Sequence, residues 1–316
     1  MQRWRGLDAI PTGWGRCVAT IGVFDGVHRG HQQIIGRARK VADERGLPTV
    51  LVTFTPHPSE VVRPGSHPAL LSTNTRKAEL AEEHGVDVVV FVPFTPNFSR
   101  LSPQQFVHEA VVADLHVSSV VVGENFRFGH KAGGDVAALV ELGQRWGFDA
   151  EGVELLSEGG RPISSTYIRS CVASGDLAAA NHALGRPHRV DGVVIKGDQR
   201  GRELGYPTAN LRAETLVAVP ADGVYSGRVV SLDEWGNTRT DVPARTAAIS
   251  IGTNPTFDGR HRSVEAYLLD FEGDLYGQNL GVEFTHRLRG MVKFDSIADL
   301  VVQMAADVDR TRELLD

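Results

Sequence analysis

Residues 22–31 read GVFDGVHRGH, directly after the apolar run CVATI, so His28 and His31 stand three apart with Gly30 between them and Gly22 and Gly26 ahead. If a strand ends near Phe24 and a helix begins near Gly30 or His31, both imidazoles lie at a strand-to-helix turn, where free N–H groups and the helix dipole attract anions. Residues without Cβ let the backbone approach a polyphosphate and adopt positive φ. His28 and His31 would then donate to phosphate oxygens and stabilise the charge that develops when an α-phosphorus is attacked. A transition-metal site is disfavoured, because third and fourth ligands at workable spacing are missing nearby and Asp25 alone is weak support. The chain has no G-x-x-x-x-G-K-[ST] loop either.

Four further stretches carry chemistry. GENFRFG (123–129) follows the apolar SSVVV, so Asn125, Phe126 and Phe128 emerge at the carboxyl end of a strand, where open α/β sheets bind ligands. The two rings either stack on a flat heterocycle or belong to the core. ISSTYIR (163–169) puts the hydroxyls of Ser164, Ser165 and Thr166 before a helix, which they cap or from which they contact a ligand, and Arg169 adds a fork suited to phosphate. TFTPHP (53–58) reads as a rigid turn on account of Pro56 and Pro58. GDQRGRELGYPTAN (197–210) opens as a flexible hairpin and ends in Thr208 and Asn210, two apart on an extended segment. Their oxygens point the same way and suit Mg²⁺ shared with nucleotide phosphates, although hard ligands suit Mn²⁺ as well. In RSVEAYLLDF (262–271), Val264, Ala266 and Leu268 alternate with Glu265 and Tyr267, which puts that carboxylate on the opposite face.

The elements that must hold these residues change character along the chain. The first half alternates β-rich runs (CVATIGVF, TVLVTF, VDVVVFVPF, SSVVVG) with helical stretches near 31–45, 75–84 and 103–115, the pattern of a parallel sheet covered by helices. A helical stretch from about Ser165 to Leu184 is interrupted at Gly175. After Gly185 and Pro187 come strands with glycine-rich turns, RVDGVVIKG, GVYSGRVVSL, TAAISIG, SVEAYLLDF and LGVEFTHRL, which predict an antiparallel β-barrel or sandwich. A last helix, Ser296 to Leu315, carries Ile297, Leu300, Val301, Met304, Val308, Thr311 and Leu315 as one stripe that should cap the barrel. The expected domains are 1–186 and 187–316.

At 316 residues with 41% hydrophobic and 23% charged residues, the chain supports two folded domains and no disordered tract. A formal net charge of −6, with no basic run, argues against nucleic-acid polymers as partners. No 18-residue apolar stretch and no signal-peptide h-region occur, so a cytoplasmic protein without a membrane partner is expected. Cys17 and Cys171 read as small core residues. A homo-oligomer is left open.

In the order and separation of GVFDGVHRGH, GENFRFG and ISSTYIR, the N-terminal half resembles the H-x-G-H nucleotidylyltransferases. The whole chain resembles the bacterial bifunctional riboflavin kinase/FMN adenylyltransferase (FAD synthetase) family. The resemblance implies a Rossmann-like nucleotidylyltransferase domain followed by a riboflavin kinase barrel, with ATP as co-substrate, Mg²⁺ as cofactor, and riboflavin, FMN and FAD as substrates or products. It implies ATP contacts from Gly22, Phe24, Asp25, Gly30, Ser164, Ser165 and Thr166, catalytic roles for His28, His31 and Arg169, and flavin contacts from Asn125, Phe126, Phe128, Pro56 and Pro58. GDQRGRELGYPTAN is similar to the kinase signature, which implies nucleotide contacts from Gly201, Thr208 and Asn210, metal ligation by Thr208 and Asn210, and Glu265 as general base. IGTNPTF (251–257) and DLYG (274–277) fit the same family, whereas Gly290, Met291 and Val292 in HRLRGMVKF (286–294) stand where acidic or polar residues are frequent. Two other readings are a related nucleotidylyltransferase with an inactive barrel and a flavin-binding sensor without turnover. GENFRFG and intact PTAN with Glu265 speak against the first, and Glu265 with the two histidines against the second, since sensing needs neither.

Overall fold

The computed structural model describes residues 1–65, 67–197, 200–213, 216–253 and 262–315. They form two compact units, Met1–Pro68 with Lys77–Ser164, and Ala69–Arg76 with Ser165–Asp316.

The first unit runs β1 (Gln2–Arg5), β2 (Cys17–Ile21), α1 (Arg29–Arg45), β3 (Thr49–Thr55), α2 (Pro58–Val62), most of α3 (Asn74–Glu83), β4 (Val88–Pro93), α4 (Pro103–Phe106), β5 (Val117–Gly123), α5 (Val136–Trp146), β6 (Asp149–Val153) and the short pair β7 (Ser157–Glu158) and β8 (Arg161–Pro162). Its six-stranded sheet has the order β1-β4-β3-β2-β5-β6 and every pairing is parallel. β2 and β5 are buried along their whole length, as expected of strands covered on both faces. The order reverses between β2 and β5, so the crevice beyond their carboxyl ends is the topological switch point.

The edge strands β1 and β6 lie outside the runs legible in the sequence. QRWR and DAEGV are exposed or half-buried at most positions and carry no apolar run. The helix expected at 103–115 is α4 continued by a π-helical stretch, Val107–Asp114.

The second unit contains α6 (Ser165–Ser174), α7 (Leu177–Leu184), β9 (His188–Ile195), α8 (Arg200–Glu203), β10 (Ala209–Ala213), β11 (Gly223–Ser231), β12 (Arg245–Thr253), β13 (Arg262–Leu268), β14 (Asn279–Arg289) and α9 (Ile297–Leu315). Its strands close into a barrel in the order β10-β13-β12-β11-β14-β9. Gly175, at φ 77°, ends α6 in the left-handed conformation that glycine adopts without steric cost.

The helical side chain that joins the barrel core is Leu177 of α7, buried among Val190, Tyr225, Ile249 and Phe284. Asn181 pins the same helix by donating to Phe284 O at 2.9 Å and accepting from His188 N at 2.8 Å. α9 lies against β11 and β12. Arg289 binds Asp307 at 2.7 Å, Val308 and Thr311 are buried, and Leu300, Val301, Met304 and Leu315 are half-buried. Of the apolar stripe read from the sequence, only its first member, Ile297, faces solvent.

Candidate active sites

At the switch point, β2 stops at Ile21 and α1 begins at Arg29, so the intervening turn is longer than the sequence suggested. Gly22 N still reaches Val52 O at 3.0 Å, and one residue on Val23 O accepts from Thr53 Oγ1 (2.9 Å) and Lys77 Nζ (2.8 Å). Beyond it Phe24, Gly26 and Val27 adopt φ of 50°, 79° and 38°. For Phe24 and Val27 that is a strained conformation, held because both side chains are sunk into an apolar cluster with Ile35, Leu51 and Ala78.

His28 is the N-cap of α1, its Nδ1 accepting from His31 N at 3.3 Å. A ring nitrogen that accepts carries no proton, so the neutral ring bears its proton on Nε2 as a donor. The two imidazoles stack with centroids 3.6 Å apart and planes 17° from parallel, and Phe24 backs His31 edge-on at 5.1 Å. Gly30 packs closely on the stack, since a Cβ there would lie 3.3 Å from the His28 ring and 3.4 Å from Ile163 O. That closeness also places the start of ISSTYIR, Ile163 and with it Ser164, beside the turn.

Phe24 and Asp25 are each 2% exposed and His28 5%, so the Phe24 ring belongs to the apolar cluster rather than to an open surface. Burial pushes the Lys77 ammonium down to about 8, with the nearby charge of Asp25 pulling it back up. Lys77 escaped the sequence reading, because a lysine in a polar helical stretch reads as solvated.

The carboxyl ends of the strands also carry an aromatic wall. Phe54 meets Phe94 and Phe98, Phe98 meets Phe106, Phe106 meets Phe128, and Phe128 stacks on Phe126 at 5.5 Å. Of the two readings open for GENFRFG, Phe128 takes the core place, Phe126 is half-buried above it and Asn125 is exposed. Phe54, Phe94 and Phe98 are members that the sequence reading missed. The signal was the aromatic residue following each apolar run. Pro56 and Pro58 flank His57, whose Nδ1 caps α2 by accepting from Ser59 N at 3.1 Å.

In the second unit, Ser165 and Thr166 open α6, and Arg169 Nε donates to Ala69 O at 2.7 Å, so one edge of its fork is engaged by backbone.

On the barrel, Asn210 of β10 is registered against Glu265 of β13, which on its other side faces Ser250 of β12. Directly opposed residues in antiparallel strands share a face, and Val264, Ala266 and Leu268 take the core side as the alternation predicts. Asn210 Nδ2 lies 3.4 Å from Thr208 Oγ1, and Tyr206 meets Tyr267 edge-on at 5.3 Å.

GDQRGRELG is not a plain hairpin. Residues Arg200–Glu203 form one helical turn, closed by Tyr206 N donating to Gly201 O at 2.8 Å, and Asp198 and Gln199 lie outside the described residues. A Cβ on Gly197 would stand 2.5 Å from the Asn210 side chain, and one on Gly201 would run into Tyr206 O. The glycines thus keep room over Thr208 and Asn210, whose neutral hard oxygens fit a small divalent cation that also holds phosphate. Asn254, Pro255, Thr256 and Phe257 of IGTNPTF lie outside the described residues. Met291 and Val292 are exposed after β14 ends.

A parallel sheet with a paired-histidine turn at its switch point and a closed barrel with a carboxylate registered against an amide make a two-module architecture. Residues 10–167 match the FAD synthetase family model and residues 184–315 the riboflavin kinase model. The bifunctional riboflavin kinase/FMN adenylyltransferase of Escherichia coli (strain K12) is 37% identical over 94% of this chain and 92% of its own. That of Pseudomonas fluorescens is 39% identical over 99% and 98%. A crystal structure of a macrolide-efflux protein from Streptococcus pneumoniae aligns with a TM-score of 0.86 at 30% identity, covering 99% of both chains. The chain belongs to the bifunctional riboflavin kinase/FMN adenylyltransferase family. No helix among the described residues is long and apolar enough to cross a membrane.

Proposed function

We propose that the barrel face around Glu265 phosphorylates riboflavin and that the turn around His28 and His31 adenylylates the resulting FMN, with the domains divided at 186/187, in a cytoplasmic enzyme of small-molecule substrates. The cross-strand pairing of Asn210 with Glu265 is the observation that supports the first step most directly. A carboxylate there takes the proton from the riboflavin 5′-hydroxyl as its oxygen attacks the γ-phosphorus of ATP, and ADP leaves. Thr208 and Asn210 would hold Mg²⁺, which supplies charge neutralisation on the phosphates when bound.

In the second step the FMN phosphate is already an anion, so no base is needed. An FMN oxygen bonds to the α-phosphorus of ATP, pyrophosphate leaves, and the His28 and His31 N–H groups stabilise the added negative charge. Ser164, Ser165, Thr166 and Arg169 hold the nucleotide, while Asn125, Phe126, Pro56 and the wall ending in Phe128 receive the flavin.

The test is one chromatographic time course of riboflavin, FMN and FAD with ATP and Mg²⁺. Glu265→Gln should leave riboflavin unconverted while supplied FMN still becomes FAD. His31→Ala should accumulate FMN. Loss of FAD formation from FMN in folded Glu265→Gln, or of FMN formation in folded His31→Ala, would reverse the assignment.

A further inference from the structure

We propose that Lys77 is a positioning residue for adenylyl transfer, its buried ammonium fixing the start of the turn that presents His28 and His31. The inference rests on that turn being the nucleotide site. Lys77 is 4% exposed, and its ammonium is engaged by protein oxygens. Its Nζ donates to Val23 O at 2.8 Å and to Thr53 Oγ1 at 3.2 Å, and the same hydroxyl donates to Val23 O at 2.9 Å. Two donors, one from α3 and one from β3, thus close on a single carbonyl of the turn and bond each other.

That carbonyl matters because it stands at the head of the strained turn. Phe24, Gly26 and Val27 hold positive φ, and such a backbone persists only when its surroundings over-determine it. Downstream, Gln32 Nε2 holds Val27 O at 2.9 Å and His28 caps α1. Upstream, the polar anchors on Val23 O are Lys77 and Thr53. An apolar side chain would occupy the space of the lysine stem without desolvating a charge, so the apolar layer gains nothing from the ammonium. The ammonium instead supplies a charge-assisted bond that sets where the turn begins, with the Asp25 charge on the same turn favouring its protonated form. An imidazole donor displaced by about 1 Å loses on the order of a hundredfold in rate.

The experiment uses the full chain carrying Lys77→Met, assayed for FMN adenylylation and riboflavin phosphorylation in one preparation, with Lys77→Arg and His31→Ala in parallel. Expected for Lys77→Met is an adenylylation kcat lower by about ten- to a hundredfold. The KM values for ATP and FMN should stay within about threefold, riboflavin phosphorylation should be unchanged, and Lys77→Arg should restore part of kcat. The imidazole NMR signals of His28 and His31 should shift in Lys77→Met. A wild-type adenylylation kcat in folded Lys77→Met, or an equal loss in both reactions, overturns the proposal. If His31→Ala is impaired and Lys77→Met is not, only the role of Lys77 fails. If neither variant is impaired, the reading of the turn itself fails. Should Lys77→Met not fold, Thr53→Val carries the test, with a smaller kcat-only loss expected and an unchanged kcat overturning the proposal.

Discussion

His28 shows how a cap sets a side chain's chemistry, because its Nδ1 accepts from His31 N and the ring proton is thereby left on Nε2 as a donor. Removing the neighbouring donor with His31→Ala is comparable to deleting one oxyanion-hole group, so adenylylation should fall by about 10²–10³-fold, read from the FAD time course. Cys17 illustrates the opposite case, a reactive residue type made inert. Burial pushes its thiol up to about 12, and Sγ lies 3.3 Å from Leu115 O. The thiolate is the nucleophile, so iodoacetamide at pH 8 should leave Cys17 unmodified in the native protein and modify it in denaturant, as mass spectrometry would show. The unfolded thiol, near its ordinary value of 9.0, ionises before the folded one near 12. This group therefore makes stability fall as pH rises from about 9 toward 12, and leaves it independent of pH below that window.

Among the elements, β10 and β13 carry the kinase chemistry, and their register rather than their composition is decisive. One residue of slip would turn Asn210 and Glu265 into the barrel core and expose Ala209 and Ala266. The approach of Gly197 to Asn210 offers a test that leaves both reactive residues in place. Gly197→Ala would drive a Cβ to within 2.5 Å of the Asn210 amide, forcing that side chain off Thr208. Riboflavin phosphorylation should fall by about ten- to a hundredfold while FMN adenylylation continues, measured on the same preparation. The periodicity of β13 was plain from SVEAYLLDF, and PTAN was legible as an extended segment. That these two segments pair, 55 positions apart (265 − 210), was not, because register is decided by side chains from opposite ends of the domain packing into one core.

For the whole molecule, α6 and α7 group with the barrel rather than with the sheet, although the sequence changes character only at Gly185–Pro187. Leu177 is 2% exposed within the barrel core, and burying one leucine is worth about 2 kcal/mol. A fragment 165–316 should therefore melt higher than 187–316, by roughly 5 °C or more, as calorimetry would show, and should phosphorylate riboflavin without the first unit. A folded but inert 165–316 beside an active full chain would mean that the kinase site includes residues from the first unit. The short segment Ala69–Arg76, which lies between β3 and β4 in sequence, also groups with the barrel, where Leu70 bridges Val217 and Thr75 donates to Trp235 O at 3.1 Å. Nothing in its composition announced that.

The amino-acid sequence by itself determined the alternation of apolar runs, the glycines at the turns, and the three-residue spacing of the histidines. Each depends on neighbours within a few positions, so the parallel sheet, the barrel and both candidate sites were legible. Tertiary structure alone decided that Lys77 reaches beneath the histidine turn, that Phe128 is core while Phe126 remains half-open, that QRWR and DAEGV close the edges of the sheet, and that Glu265 faces Asn210. Those outcomes depend on groups distant in the chain competing for the same buried volume and the same hydrogen-bond partners, and that competition is settled only when the units close.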